Sequence, residues 1–220
     1  LQSFICATRT DGTLWCWGNN SYGQLGDGTT TQKTTPTQIG AATDWSDVQG
    51  APQGQTVCGT RTSGALYCWG YNGSSQVGDG TTTNRSSPRQ VGTLTTWASV
   101  RVGPMHTCAV QNNGGMYCWG DNYNGPLGDG STTPSGGPGL PVVGGNVWAS
   151  AAVGNRFTCG AKLDGSVSCW GTGSYGQLAT GNQDTNHVLP VQLTETACST
   201  ATDNCSVNAQ CLGDVNGQFT

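Results

Sequence analysis

Eight of the eleven cysteines stand in four pairs: Cys6 with Cys16, Cys58 with Cys68, Cys108 with Cys118, and Cys159 with Cys169, each pair ten residues apart. Cysteines spaced so regularly serve either disulfide or metal-thiolate chemistry. The metal reading lacks ligands. His106 and His187 sit at unrelated places in the pattern, and a ten-residue gap is not the short spacing of zinc sites. The pairs therefore read as disulfides, which implies an oxidising compartment. Asp27, Asp79 and Asp129 each lie between two glycines. A calcium cage needs about six or more oxygens, so a lone Asp in this setting reads as a turn residue. His106 falls two before Cys108, where Phe4 and Phe157 precede their own cysteines, and reads as a packed residue. No Ser-His-Asp set, carboxylate pair or nucleophile elbow stands out. The expectation is no catalysis, no metal and no other cofactor. Covalent glycans are the better-supported chemistry: Asn19, Asn72, Asn84 and Asn204 each open an acceptor sequon. Asn19 and Asn72 follow a Trp-Gly and are expected in exposed loops. The Thr/Ser/Pro stretches 29–37, 81–88 and 131–138 could carry O-linked sugar on composition.

These residues must be positioned by a repeated element. The second cysteine of every pair opens a Cys-Trp-Gly, and the four copies are 52, 50 and 51 residues apart. A fixed period of this size means a repeat architecture. Within one copy, Phe4 to Arg9 and Thr13 to Gly18 favour strands, and Thr10-Asp11-Gly12 between them is a turn with Gly available for positive φ. Ser63-Gly64, Asn113-Gly114 and Asp164-Gly165 hold the same place. A three-residue loop suits a type I turn with a Gly bulge. It sets Cys6 directly opposite Cys16, close enough for a bridge at a non-hydrogen-bonded position. Each repeat is thus predicted to staple its own hairpin.

Upstream of the hairpin, Trp45-Ser-Asp-Val48, Trp97-Ala-Ser-Val100 and Trp148-Ala-Ser-Ala151 predict a further strand. Downstream comes a polar loop, Gly23-Gln24-Leu25-Gly26-Asp27-Gly28-Thr29, repeated at 75–81 and 125–131 and decayed at 176–181. A last short strand is predicted to open after a proline, at Pro36, Pro88 and Pro190. About four short strands per fifty residues predict all-β, four-stranded propeller blades. The approximate repeats are 1–44, 45–96, 97–147 and 148–194. The eight tryptophans recur in register, which favours core packing over a sugar-binding platform.

Composition narrows the function. Charged residues are 9% of the chain and the net charge is -4, so nothing draws it to nucleic acid. No apolar run approaches the roughly 18 residues of a membrane span. Nothing resembles a signal peptide, so the chain reads as an internal piece of a longer, processed protein.

The set of Cys-Trp-Gly, Asn, Gly-Gln-Leu-Gly-Asp-Gly-Thr and Trp-x-x-Val resembles the repeats of the regulator of chromosome condensation family, over about residues 3–193. That resemblance implies a β-propeller, usually of seven blades. The family includes exchange factors for a small GTPase, chromatin binders and a secreted inhibitor of β-lactamases. The acidic composition and paired cysteines set this chain apart from the nuclear members and are similar to the secreted branch. Residues 195–220 are similar to the first half of an epidermal-growth-factor-like module, the start of a small disulfide-rich unit. In that family's pairing Cys198 joins Cys211, which leaves Cys205 unpaired in this fragment. The combination implies a non-enzymatic, secreted structural or adhesive protein, part of a multi-module or filament-forming chain. Its partners would be other subunits or extracellular proteins. The alternative is a soluble binder or inhibitor acting through its loop face. The first repeat lacks a Trp-x-x-Val strand, so further repeats or a neighbouring subunit are expected to complete the array.

Overall fold

The computed structural model describes residues 3–51, 54–181 and 185–193. Residues 195–220, with Cys198, Asn204, Cys205 and Cys211, lie outside the described residues, and so does the growth-factor-like reading that rests on them.

Among the described residues there is no helix. Four antiparallel sheets follow one another along the chain. The first holds β1 (Phe4–Thr8), β2 (Leu14–Gly18) and β3 (Lys33–Gln38). The second holds β4 (Trp45–Gly50), β5 (Thr56–Arg61), β6 (Leu66–Gly70) and β7 (Arg85–Gln90). The third holds β8 (Trp97–Val102), β9 (His106–Gln111) and β10 (Met116–Gly120). The fourth holds β11 (Trp148–Val153), β12 (Phe157–Lys162), β13 (Val167–Gly171) and β14 (His187–Gln192). Each sheet is a blade in simple up-and-down order. The strands that open on the recurring tryptophan, β4, β8 and β11, lie innermost, and β8 touches both of the others. The first blade has no such strand among the described residues.

The hairpin forms as its turn residues dictate. Arg9 N–H donates to the Thr13 carbonyl and Gly12 N–H to the Arg9 carbonyl. Gly12 has φ 78°, and a Cβ there would lie 2.0 Å from the Thr43 carbonyl oxygen, so only glycine fits. The same bond recurs from Arg61 to Ala65, Gln111 to Gly115 and Lys162 to Ser166. The register follows: Cys6 opposes Cys16, Cys58 opposes Cys68, Cys108 opposes Cys118 and Cys159 opposes Cys169. All four pairs are disulfides, with Cα atoms 4.1–4.2 Å apart.

The outermost strand departs from expectation. It opens three residues before its proline, so Pro36, Pro88 and Pro190 stand inside β3, β7 and β14. The ladder to the neighbouring strand slips there, between Cys16 and Gly18 and at the matching places in the second and fourth blades. A residue without an N–H is tolerated at an irregular outer edge. In the third blade a denser run of Gly and Pro reduces this strand to two bridges, Tyr117 to Pro141 and Gly120 to Ser135.

The core lies between blades rather than within them. Leu14, Cys16, Leu25 and Ile39 of the first blade pack on Trp45, Val57 and Trp69 of the second. Cys58, Cys68, Leu66 and Val77 pack on Trp97, Val100 and Trp119. Cys108, Cys118, Met116 and Leu127 pack on Trp148 and Trp170. Each of the first three disulfides therefore lies beneath the next blade's tryptophans. Beyond the fourth blade, Cys159, Cys169 and Leu178 form a cluster with no described blade across from it.

Candidate functional site

The structure gathers the recurring polar residues into one repeated loop, set at the junction between successive blades. In the second blade the Asn72 side chain is fully buried. Its Oδ1 accepts from Val77 N–H at 2.9 Å, and its Nδ2 donates to the carbonyls of Thr81 at 2.9 Å and Thr83 at 3.1 Å. Asn20 does the same with Leu25, Thr29 and Thr31, and Asn122 with Leu127, Ser131 and Thr133. One amide thus ties both ends of the Gly-Gln-Leu-Gly-Asp-Gly loop. Neutral Asn is suited to this because a single side chain accepts and donates at once.

This clamp corrects the reading of Asn72 as an exposed glycan acceptor. The nitrogen that would carry sugar is buried and hydrogen-bonded. Asn19 is half-buried and accepts from Gln24 Nε2 at 2.7 Å. Asn84 is exposed, and its Oδ1 accepts from Asn72 N–H at 2.9 Å.

The aspartates sit at the loop's tip as turn residues. Asp79 Oδ1 accepts from Thr81 N–H and Oγ1 and from Asn72 Nδ2, and its other oxygen pairs with Arg85. Burial by itself would raise its pKa, but the Thr81 hydroxyl, the Arg85 guanidinium and the Thr81 N–H hold it below the ordinary carboxylate value. Asp27 is held low likewise, by Thr29, Lys33 and Asn20 against burial. Asp129 accepts from Ser131 N–H at 2.9 Å. The carboxylates are spent on holding turns.

The loop's main use is to receive the next blade. Trp69 Nε1 donates to the Gln24 carbonyl at 3.0 Å, Trp119 Nε1 to the Gln76 carbonyl at 3.0 Å, and Trp170 Nε1 to the Pro126 carbonyl at 2.9 Å. Two of these carbonyls take a second buried donor, Thr107 Oγ1 on Gln76 and Thr158 Oγ1 on Pro126. His106 joins the second cluster, its Nε2 lying 2.7 Å from Thr158 Oγ1. Thr158 donates its only hydroxyl proton to Pro126, so His106 is the Nε2–H tautomer and donates to it. Burial drives the His106 pKa down to about 3, so the ring is neutral. It is a packed residue, as the sequence implied.

The Cys-Trp-Gly tryptophan was legible as core, but its role as a blade-to-blade hydrogen-bond donor was not. The signal was available: Gln or Pro stands three residues before the Asp in the first three loops, and Asn stands two after the Trp-Gly glycine in the same three.

Two blade faces lack a described neighbour. On the first blade Ile5 is 53% exposed and Trp15 and Trp17 are half-buried. On the fourth, Tyr175 is 89% exposed, whereas its counterpart Tyr22 packs edge-on against Tyr71 of the next blade. Among the described residues no helix is long and apolar enough to cross a membrane.

Comparison with known proteins gives a consistent picture. The repeat described as "Regulator of chromosome condensation (RCC1) repeat" matches residues 11–53, 63–110 and 164–204, and a second description of the same repeat matches 97–125 and 148–177. The human E3 ubiquitin-protein ligase HERC2 is 33% identical over 87 residues, covering 40% of this chain and 2% of that protein. The human probable E3 ubiquitin-protein ligase HERC3 is 35% identical over 109 residues, covering 46% of this chain and 10% of that protein. Among solved structures, human WBSCR16 superposes with a TM-score of 0.72 at 20% identity, covering 88% of this chain and 51% of its own. Prp20p of Saccharomyces cerevisiae, studied for its binding to Gsp1p and histones, gives 0.73 at 19%, covering 88% and 49%. The chain thus spans a small fraction of the ligases and about half of these propellers.

Proposed function

The chain belongs to the regulator of chromosome condensation repeat family, and on that premise we propose that it is a non-enzymatic, protein-binding segment of a secreted structural or adhesive protein. The observation that carries this reading is the set of four disulfides, one per hairpin, built into every blade. Such bridges persist in oxidising compartments and are reduced in the cytosol and nucleus. The nuclear roles of the family are therefore not carried to this chain, and neither is ligase activity, since the matched segments are a small part of those relatives. Protein binding is carried over as a general capacity: Prp20p was studied for binding to two proteins, and a propeller scaffold leaves the partner to its surface.

Two features support assembly with other protein. The loop polar groups among the described residues are engaged in holding turns and blades. Among the described residues the first blade exposes Ile5, whose counterpart Val57 is buried, and the fourth exposes Tyr175, whose counterpart Tyr22 packs on Tyr71. Glycans on Asn84, on Asn19, and on Asn204 beyond the described residues fit a secreted surface. The second reading, a soluble inhibitor acting through its loop face, is favoured by the rigidity of the clamped loops. Fractionation of native material separates the two. The structural reading expects the chain in an insoluble or filamentous fraction, carrying glycans. Recovery as a soluble monomer bound to one partner would replace it with the second.

A further inference from the structure

Each of the three junctions between blades uses the same contact. The indole of the downstream Cys-Trp-Gly lies flat against a glycine of the upstream loop. A Cβ on Gly26 would stand 2.7 Å from Trp69 Nε1, on Gly78 2.4 Å from Trp119 Nε1, and on Gly128 2.5 Å from Trp170 Nε1. Real Cβ atoms do not approach a ring so closely, and each indole is held in place by its hydrogen bond to the loop carbonyl. The glycines have φ of 79°, 81° and 70° and close the same turn, donating to the carbonyl three residues back.

The fourth loop keeps that turn and changes the residue. Ala179 has φ 51° and donates to the Gly176 carbonyl at 2.9 Å, as Gly26 donates to Gly23 at 3.0 Å. A methyl group therefore stands where the other loops leave room for an indole. Two neighbouring changes go with it: Gly173 replaces the clamp Asn, and Thr180 replaces the tip Asp. At the other end, Trp17 is the one Cys-Trp-Gly tryptophan with no described loop beneath it.

We propose that Ala179 is a specificity determinant that makes the first-blade and fourth-blade faces without a described neighbour incompatible with each other. The Trp17 face of the first blade is completed by a blade whose loop carries glycine at that position, and not by the fourth blade of a second copy. The occupant is defined by its chemistry: a backbone carbonyl for the Trp17 indole N–H, and a residue without Cβ under the ring. The three internal junctions supply the template for this contact. This rests on the functional reading above for the faces without a described neighbour, while the steric conflict at Ala179 is independent of function.

The test has two parts. Sedimentation of residues 1–220 across a wide concentration range should show Ala179→Gly self-associating at least about tenfold more tightly than the parent chain. Adding Trp17→Ala should abolish the gain. Parent chains that associate equally well and are separated by Trp17→Ala would overturn the proposal, as would an Ala179→Gly chain that gains nothing. Independently, Gly78→Ala should recreate the conflict inside the molecule. Exchange of the Trp119 indole proton with solvent should then rise more than about tenfold. Unchanged exchange would refute the steric premise, whatever the protein's function.

Discussion

Replacing Asn72 with Ala removes the clamp of the second loop and leaves the surrounding backbone to be satisfied by water. The Val77 N–H loses its acceptor, and Val77 is fully buried. An orphaned buried donor costs roughly 1–3 kcal/mol. The carbonyls of Thr81 and Thr83 lose their donor but lie nearer solvent, adding roughly 1 kcal/mol between them. The expected loss is about 2–4 kcal/mol. It should be local at first, because the freed loop is the one whose Gln76 carbonyl holds Trp119. Urea unfolding followed by tryptophan emission, with hydrogen exchange at Val77 and at the Trp119 indole, measures both effects. Asn72→Asp gives a sharper readout. It keeps the acceptor for Val77 but turns a carboxylate oxygen toward two carbonyls and toward Asp79 Oδ1, which lies 3.3 Å from the native nitrogen. The folded-state pKa of the new carboxyl must rise, so this variant should gain stability relative to the parent as pH falls from 7 toward 5. A loss under about 0.5 kcal/mol for Asn72→Ala, or no relative gain on acidification for Asn72→Asp, would refute the clamp.

Other predictions follow from the same structure. Folded His106 stays neutral down to about pH 3 while the unfolded residue protonates near 6.5, so stability should be lost as pH falls between those values, by about 1.4 kcal/mol per unit. His106→Phe, the residue found at positions 4 and 157, should flatten that slope in thermal melts across pH. Asp79 is depressed, so its contribution is present above the usual carboxylate range and lost as pH falls through its folded value. Asp79→Asn should therefore cost about 1–2 kcal/mol at neutral pH and nothing in strong acid, by denaturant titration. Removing one bridge as Cys58→Ala with Cys68→Ala should cost roughly 2.5–3 kcal/mol on the chain-entropy account, read from the unfolding midpoint. If the chain is made in a secretory pathway that glycosylates Asn, peptide mass spectra should find sugar at Asn84 and none at Asn72.

The hairpins were legible because their information is local. Three turn residues with a glycine fix the register, and the register fixes which cysteines meet. The innermost strand was legible from Trp-x-x-Val, and the burial of His106 from the phenylalanines that share its place. What stayed hidden depends on contacts between repeats. Asn72 lies in an acceptor sequon in a polar stretch, and only folding reveals that the loop closes over it. The Cys-Trp-Gly tryptophan looks like any core aromatic until the preceding blade's loop carbonyl is placed against it. The start of the outer strand is not legible, because a proline inside a slipped edge ladder looks, in sequence, like a strand boundary.

Each repeat carries its own disulfide, and such bridges form and persist in an oxidising compartment. Peptide mapping of unreduced protein taken from its native source tests this most directly. The prediction is four bridged pairs, Cys6–Cys16, Cys58–Cys68, Cys108–Cys118 and Cys159–Cys169, each formed in full. Free thiols at these positions, or bridges joining different repeats, would contradict it.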